Sequence, residues 1–409
     1  MIKLSLVLGV AMAVLIAACS KSDDVDEKVT DGAIRIGVLT DMSGLYSDIG
    51  GQGSIVAAEL AVEDLGGEVD GKPIELVSVD HQNKADIAAQ KVREWIDRNG
   101  VDMVTDALNS AVALATSKVV AEKKRILMVT GAATTRLTNE DCTAYTIHHS
   151  YDTFALANGT GTAVVKQGGD TWFFLTSDYA FGHSLETDTA NIVKKAGGSV
   201  LGAVRHPLSA SDFSSFLLQA QNSKAKIIGL ANAGGDTINS IKAANEFGLT
   251  ETQNLAGLLV FITDIHSLGL PVTQGMYVTS GWYWDLNDET RAWSKRFFER
   301  MGKMPTMIHA GVYSSVIMYA NAVKATGTDE ADGIMEWLRN NPQSDMFGKN
   351  LTLRKDGRLV HDMYLMQVKD PSESNAAWDY YNVRQTIPAA NAFQPLSESR
   401  CPLITGGSS

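Results

Sequence analysis

From Ala33 onward the chain alternates short β-branched runs with longer segments of helical period, which restricts it to an α/β fold built on parallel strands. Ile34–Leu39 (IRIGVL) predicts the first strand, and a loop over 40–53 leads to a helix from Ser54 to Leu65. Strands at Ile74–Asp80, Met103–Thr105 and Ile126–Thr130 then interleave with helices at Lys84–Asn99 and Ser110–Lys123. A second run of the same kind starts near Tyr151 with a helix to Gln167. It continues through strands Thr171–Thr176, Ser199–Arg205, Ile227–Ala231 and Asn254–Leu258, separated by helices Tyr179–Ala196, Phe213–Asn222 and Asp236–Glu246. Two doubly wound units in series predict two lobes, and 409 residues, 44% of them hydrophobic, suffice for a core in each. Met276–Thr279, Leu351–Leu353 and Met363–Val368 read as late strands, helices are expected at Thr290–Met301, Ile308–Ala325 and Ala331–Arg339, and the tail after Val368 reads as irregular.

The first nineteen residues, MIKLSLVLGVAMAVLIAAC, carry one lysine, an apolar run and Ile16-Ala17-Ala18-Cys19. This is the pattern of a bacterial export signal over residues 1–18, with Cys19 placed for lipidation and a polar tether over 19–32. An ordinary cut after Ala18 or Ser20 is the alternative. Cys142 and Cys401 then form an even pair, expected to bridge in an oxidising compartment and fasten the tail; two free thiols are the alternative. The formal charge of −12 argues against nucleic acid as a partner. After the signal, no apolar stretch is long enough to cross a bilayer, so any membrane attachment would be through the lipid.

Ligands of doubly wound sheets sit outside the carboxyl ends of strands, which directs attention to four loops: Asp41–Gly53, Asp106–Ser110, Thr130–Thr135 and Thr176–Gly182. Asn109-Ser110 stands at a helix start, where free amides, a hydroxyl and the helix dipole favour an anion; capping alone would also account for either residue.

These segments resemble the type I periplasmic binding proteins of ABC importers, in the branch named for leucine, isoleucine and valine binding. The resemblance runs from Ile34 to Val368 and rests on IRIGVLTDMSGLYSDIGGQG, VDMVTDALNSAVALA, ILMVTGAATT, the DYAFG turn and TSGWYWD. It implies two lobes joined by three hinge crossovers, near Ser150-Tyr151, Thr279–Gly281 and Leu359–Asp362. Lobe 1 would be 33–150 plus 281–360, and lobe 2 would be 151–280 plus 361–409. It also implies that Ala133 and Thr134 join Asn109 and Ser110 around a ligand carboxylate, with Tyr46 and Phe181 as aromatic walls from opposite lobes. His309, at a helix start that approaches the cleft in the family, is a further candidate.

One departure bears on the ligand. Amino-acid binders of this family hold the ammonium with an acidic residue on the loop after the strand at Asn254–Leu258, where this chain has Leu259 in an apolar run. A buried ammonium without a carboxylate is costly. Together with Tyr46, Phe181, Trp282 and Tyr283, that loop suits an aromatic acid, with Asn232 able to bond a ring hydroxyl; Trp284 is expected to be structural. Asp236 could replace the missing carboxylate, which keeps branched-chain or other amino acids as the alternative. The expected function is therefore extracytoplasmic capture of a small carboxylate and delivery to an ABC permease, by a periplasmic, lipid-anchored, monomeric protein without cofactor or metal. An enzyme is disfavoured because Walker, G-x-S-x-G, G-x-G-x-x-G and H-E-x-x-H motifs are absent. A ligand-sensing module is the remaining alternative.

Overall fold

The computed structural model describes residues 29–406, so the expected export signal, Cys19 and nearly all of the expected tether lie outside the described residues. The first unit is a six-stranded sheet in the spatial order Glu68–Val69, Lys72–Asp80, Ile34–Thr40, Met103–Asp106, Ile126–Val129 and Thr146–His148. All neighbours are parallel except the short edge strand Glu68–Val69. Alternate side chains feed two cores, as the two-residue period of a strand requires. Leu39, Val104, Leu127 and Val129 pack with Val92, Trp95 and Val120 from helices Ala85–Asn99 and Ser110–Lys123. Ile36, Val38, Met103 and Met128 pack with Leu60 and Val316 from helices Gln52–Asp64 and Met307–Thr326.

The second unit has four parallel strands in the order Asn254–Gly257, Ile227–Ala231, Thr171–Ser177 and Ser199–His206. Helices Ala180–Lys195, Ser214–Asn222 and Gly235–Glu246 cover it. The fold is thus α/β, with two doubly wound parallel sheets. In both sheets the winding reverses beside the central strand. In the first, the switch falls between Ile34–Thr40 and Met103–Asp106; in the second, between Thr171–Ser177 and Ile227–Ala231. Crevices open at such points, so the loops after these four strands are where a ligand can enter.

An antiparallel sheet of Tyr277–Ser280, Met363–Val368 and Tyr381–Ile387 completes the second unit. The tail is therefore not irregular throughout. Tyr381–Ile387 is an edge strand whose middle residues are half-buried or exposed, so it lacks the apolar alternation by which strands are found. The helix expected from Tyr151 to Gln167 is interrupted by a π turn at Ala157–Gly161.

Three chain crossings lie together. A Cβ on Gly281 would sit 2.4 Å from the Ser150 carbonyl and 3.2 Å from the His361 ring. His361 Nε2 is 3.1 Å from the His149 carbonyl, and the fully buried Arg358 donates to the carbonyls of His149 and Tyr151. The tail passes the same place, with Phe393 under the Arg358 guanidinium at 4.1 Å. It then returns to the first unit, where Gln394 accepts from Asn139, Arg400 donates to Asn139, and Cys401 is disulfide-bonded to Cys142. Asn391 O still accepts from Asn158 of the second unit, and the end of the tail, from Gln394 on, is fastened to the first unit by these bonds and the disulfide.

Candidate functional site

The loops at the two switch points, together with those after Ile126–Val129 and Asn254–Gly257, line a half-open cleft between the two units. Tyr46, Ile49, Leu108, Asn109, Ser110, Gly131, Ala132 and Ala133 line it from the first unit; Tyr179, Phe181, Ala233 and Leu259 line it from the second, with Tyr151 from the first crossing. The free space within it is about 20 Å³, room for about one water molecule, so a single-ring or short-chain solute enters when the two units move apart. The halves touch across it. The hydroxyls of Tyr46 and Tyr179 are 2.5 Å apart, Thr134 Oγ1 is 2.7 Å from Ser184 Oγ, and Thr135 Oγ1 donates to Asp188 at 3.0 Å.

One wall is built by a strained turn. Asp106 and Ala107 have φ of 74° and 52°, left-handed values that cost a residue with a Cβ about 1 to 3 kcal/mol each. Bonds from the Ala107 amide to Leu39 O at 2.8 Å and from the Asn109 amide to Ala107 O at 2.7 Å hold the turn. It delivers Asn109 as the cap of helix Ser110–Lys123, with Oδ1 accepting from Ala111 and Val112. Ser110 follows, 1% exposed, its Oγ accepting from the Thr134 amide at 3.3 Å, which leaves its O–H free to donate. Among the described residues no acceptor within the chain pairs with the amides of Ser110, Ala132 or Ala133. Buried amides of this kind call for a partner, and at a helix start that partner is preferentially an anion. Gly131 is required where it stands, because a Cβ there would lie 2.5 Å from Asp106 Oδ1. Burial pushes the Asp106 carboxyl up to about 6.

The other walls are apolar and aromatic. Tyr151 donates to Gly131 O at 2.6 Å. Burial, the largest cause, and the neighbouring phenol raise Tyr46 far above its ordinary range, and burial raises Tyr179 as well, so both hydroxyls are neutral. Among the described residues no acidic or basic side chain lines the cavity.

Of the residues singled out in the sequence, Tyr46, Asn109, Ser110, Ala133, Phe181 and Leu259 line the cavity. Thr134 does not; its hydroxyl is engaged with Ser184, and its amide positions Ser110. Asn232 is consumed internally, donating to Ser240 and His206 and accepting from Thr237. His309 is also structural. Its Nδ1 accepts from the Thr306 amide, so the proton sits on Nε2, 3.0 Å from Gly50 O, and burial lowers its pKa to about 4. Trp282 and Tyr283 belong to packing away from the cavity, Trp282 edge-on to Trp293. Trp284 is structural, donating to Trp378 O at 3.0 Å. Tyr151 and Tyr179 escaped the sequence reading. Tyr179 lies on the Thr176–Gly182 loop two residues before Phe181, and the rings of both face the cavity. Among the described residues no cluster of His, Cys, Asp and Glu could hold a metal, and no helix is long and apolar enough to cross a membrane.

Two doubly wound units meeting at their switch points around a small half-open cleft are the architecture of a solute-binding protein. The chain belongs to the periplasmic binding protein family, whose model matches residues 33–375. It is 58% identical to a periplasmic binding protein from Burkholderia mallei, over 91% of this chain and 99% of that one, with a TM-score of 0.90. It is 41% identical to a branched-chain amino acid ABC transporter periplasmic ligand-binding protein from Burkholderia xenovorans, covering 91% and 100%, with a TM-score of 0.81. It shares its fold with an ABC transporter solute-binding protein from Rhodopseudomonas palustris in complex with p-hydroxybenzoic acid, at 23% identity, 89% and 98% coverage and a TM-score of 0.79. The protein is the substrate-binding component of an ABC transporter.

Proposed function

We propose that this protein captures a small carboxylate, in the first place an aromatic acid, between two lobes that close over it, and presents it to an ABC permease. The lobes would be 33–150 plus 281–360 and 151–280 plus 361 to about 391, hinged where Ser150, Gly281 and His361 meet. Periplasmic residence, a lipid on Cys19 and action as a monomer belong to the same proposal.

The observation that carries this reading is the composition of the cavity wall. Amides and a hydroxyl at a helix start meet three tyrosines, a phenylalanine and two leucines, with no charged side chain among these lining residues. A carboxylate finds donors there without a counter-cation, and a flat ring finds an apolar seat. Contacts from both lobes would make the closed state the one that ligand favours.

Branched-chain amino acids are the second reading, supported by the name of the 41%-identical relative. The candidate ammonium partner is Asp236, which is 1% exposed and has one carboxylate oxygen unpartnered. Its other oxygen accepts from the Ser209 amide, and it is not part of the cavity wall.

Thermal unfolding of the mature protein with benzoate, 4-hydroxybenzoate, glutarate and leucine separates these readings. At a hundred times Kd a ligand adds about 2.7 kcal/mol, which is about 3 °C for a chain of this length. A rise with the benzoates and none with leucine is expected; a rise with leucine alone would overturn the aromatic assignment.

A further inference from the structure

Asn83 lies outside the cavity, on the turn after strand Lys72–Asp80, yet it stands between the two first-lobe loops that form the cavity wall. Its Nδ2 donates to Asp41 Oδ2, and its Oδ1 accepts from Asn109 Nδ2 at 3.3 Å. Asp41 is fully buried and organises the first loop, taking the amides of Gly44 on Oδ1 and Tyr46 on Oδ2, each at 2.9 Å. Asn109 organises the second loop by capping helix Ser110–Lys123. One continuous chain of hydrogen bonds thus runs from the Tyr46 backbone through Asp41, Asn83 and Asn109 to the helix start beside Ser110.

Asn83 is itself held for this task. It adopts a φ of 56°, tolerated by asparagine better than by most residues, and its amide donates to His81 Nδ1 at 3.0 Å. His81 is fully buried, and burial lowers its pKa to about 4, so that nitrogen stays an acceptor at neutral pH. The loop passes so close that a Cβ on Gly44 would be 2.7 Å from Asp41 Oδ1 and 3.0 Å from Asn83 Nδ2. The position asks for a short side chain presenting a donor to a carboxylate and an acceptor to an amide. An aspartate there would set two carboxylates against each other.

We infer that Asn83 is a positioning residue for ligand binding, fixing the aromatic loop that carries Tyr46 in register with the anion-facing helix start at Asn109-Ser110. The inference rests on the reading of this cavity as the ligand site.

The test is benzoate affinity measured by calorimetry on Asn83→Ala, Asn83→Asp, Ser110→Ala and the Asn83→Ala/Ser110→Ala double variant. Asn83→Ala should weaken binding about tenfold while the ligand-free unfolding midpoint falls by no more than about 2 °C, and Asn83→Asp should weaken it further. In the double variant the combined loss should be smaller than the product of the single losses, because Asn83 acts through the helix start that Ser110 occupies. A purely structural asparagine would give losses that multiply, and that result overturns the inference. If Asn83→Ala does not fold, Asn83→Ser is read in the same way, and failure of both to fold also overturns it. A Ser110→Ala variant that binds like the parent would instead count against the cavity reading.

Discussion

Removing the hydroxyl of Tyr179 tests whether the closed arrangement is the one that binds. The Tyr46 and Tyr179 hydroxyls meet at 2.5 Å across the two lobes, and both residues line the cavity. In an opened molecule each hydroxyl would reach water, so the pair would exist only when the lobes are shut. Tyr179→Phe leaves the Tyr46 hydroxyl, on a residue 4% exposed, without its partner in the closed state alone. Leaving a buried polar group unsatisfied costs about 1 to 3 kcal/mol, so closure and with it ligand affinity should fall roughly 5- to 150-fold. Tyr46→Phe should do the same in mirror image. The double Phe variant orphans nothing, because both polar groups are gone, and it should recover much of the loss. Titration calorimetry with benzoate on the four proteins yields the coupling directly. Losses that simply add in the double variant, or single variants that bind like the parent, would refute the reasoning, since neither fits a hydroxyl pair made on closure.

Two further outcomes follow from the fold. Cys142 and Cys401 are separated by 259 residues, so on a chain-entropy model their bond is worth about 5.5 kcal/mol, or about 7 °C in the unfolding midpoint. Calorimetry of the Cys142→Ser/Cys401→Ser variant should show that fall; a change below about 2 °C would mean that the tail is held by its other contacts. His309 is neutral in the folded protein, with its pKa lowered by burial to about 4, against about 6.5 unfolded. Its contribution to stability is complete above pH 6.5 and is lost as pH falls towards 4, because the unfolded chain takes up the proton first. From pH 7 to pH 5 this amounts to about 2 kcal/mol. Urea unfolding of His309→Gln should show a pH-dependent loss smaller than the parent's by that amount, and an unchanged pH dependence would dispose of the assignment.

Most of the fold could be read from the chain because parallel strands buried on both faces are written as β-branched runs. Met103–Asp106, Ile126–Val129 and Ile227–Ala231 are buried at every position, and all three stand within a residue of the expected limits. The edge strand Tyr381–Ile387 escaped because it is half in water and its composition reflects that. The π turn at Ala157–Gly161 escaped because its cause is tertiary: a Cβ on Gly159 would lie 2.2 Å from Thr279 Oγ1, on a strand far along the chain.

The site divides in the same way. Which loops take part, and that one begins a helix with an asparagine cap, follow from local pattern, because strand ends and caps are properties of a few consecutive residues. Whether a side chain faces the cavity is settled by neighbours distant in sequence. Asn232 turns to His206 and Ser240, His309 turns to Gly50, and Tyr179 turns inward to meet Tyr46. A polar side chain goes to whichever partner the packed structure sets within about 3 Å, and that distance exists only after the two sheets have come together.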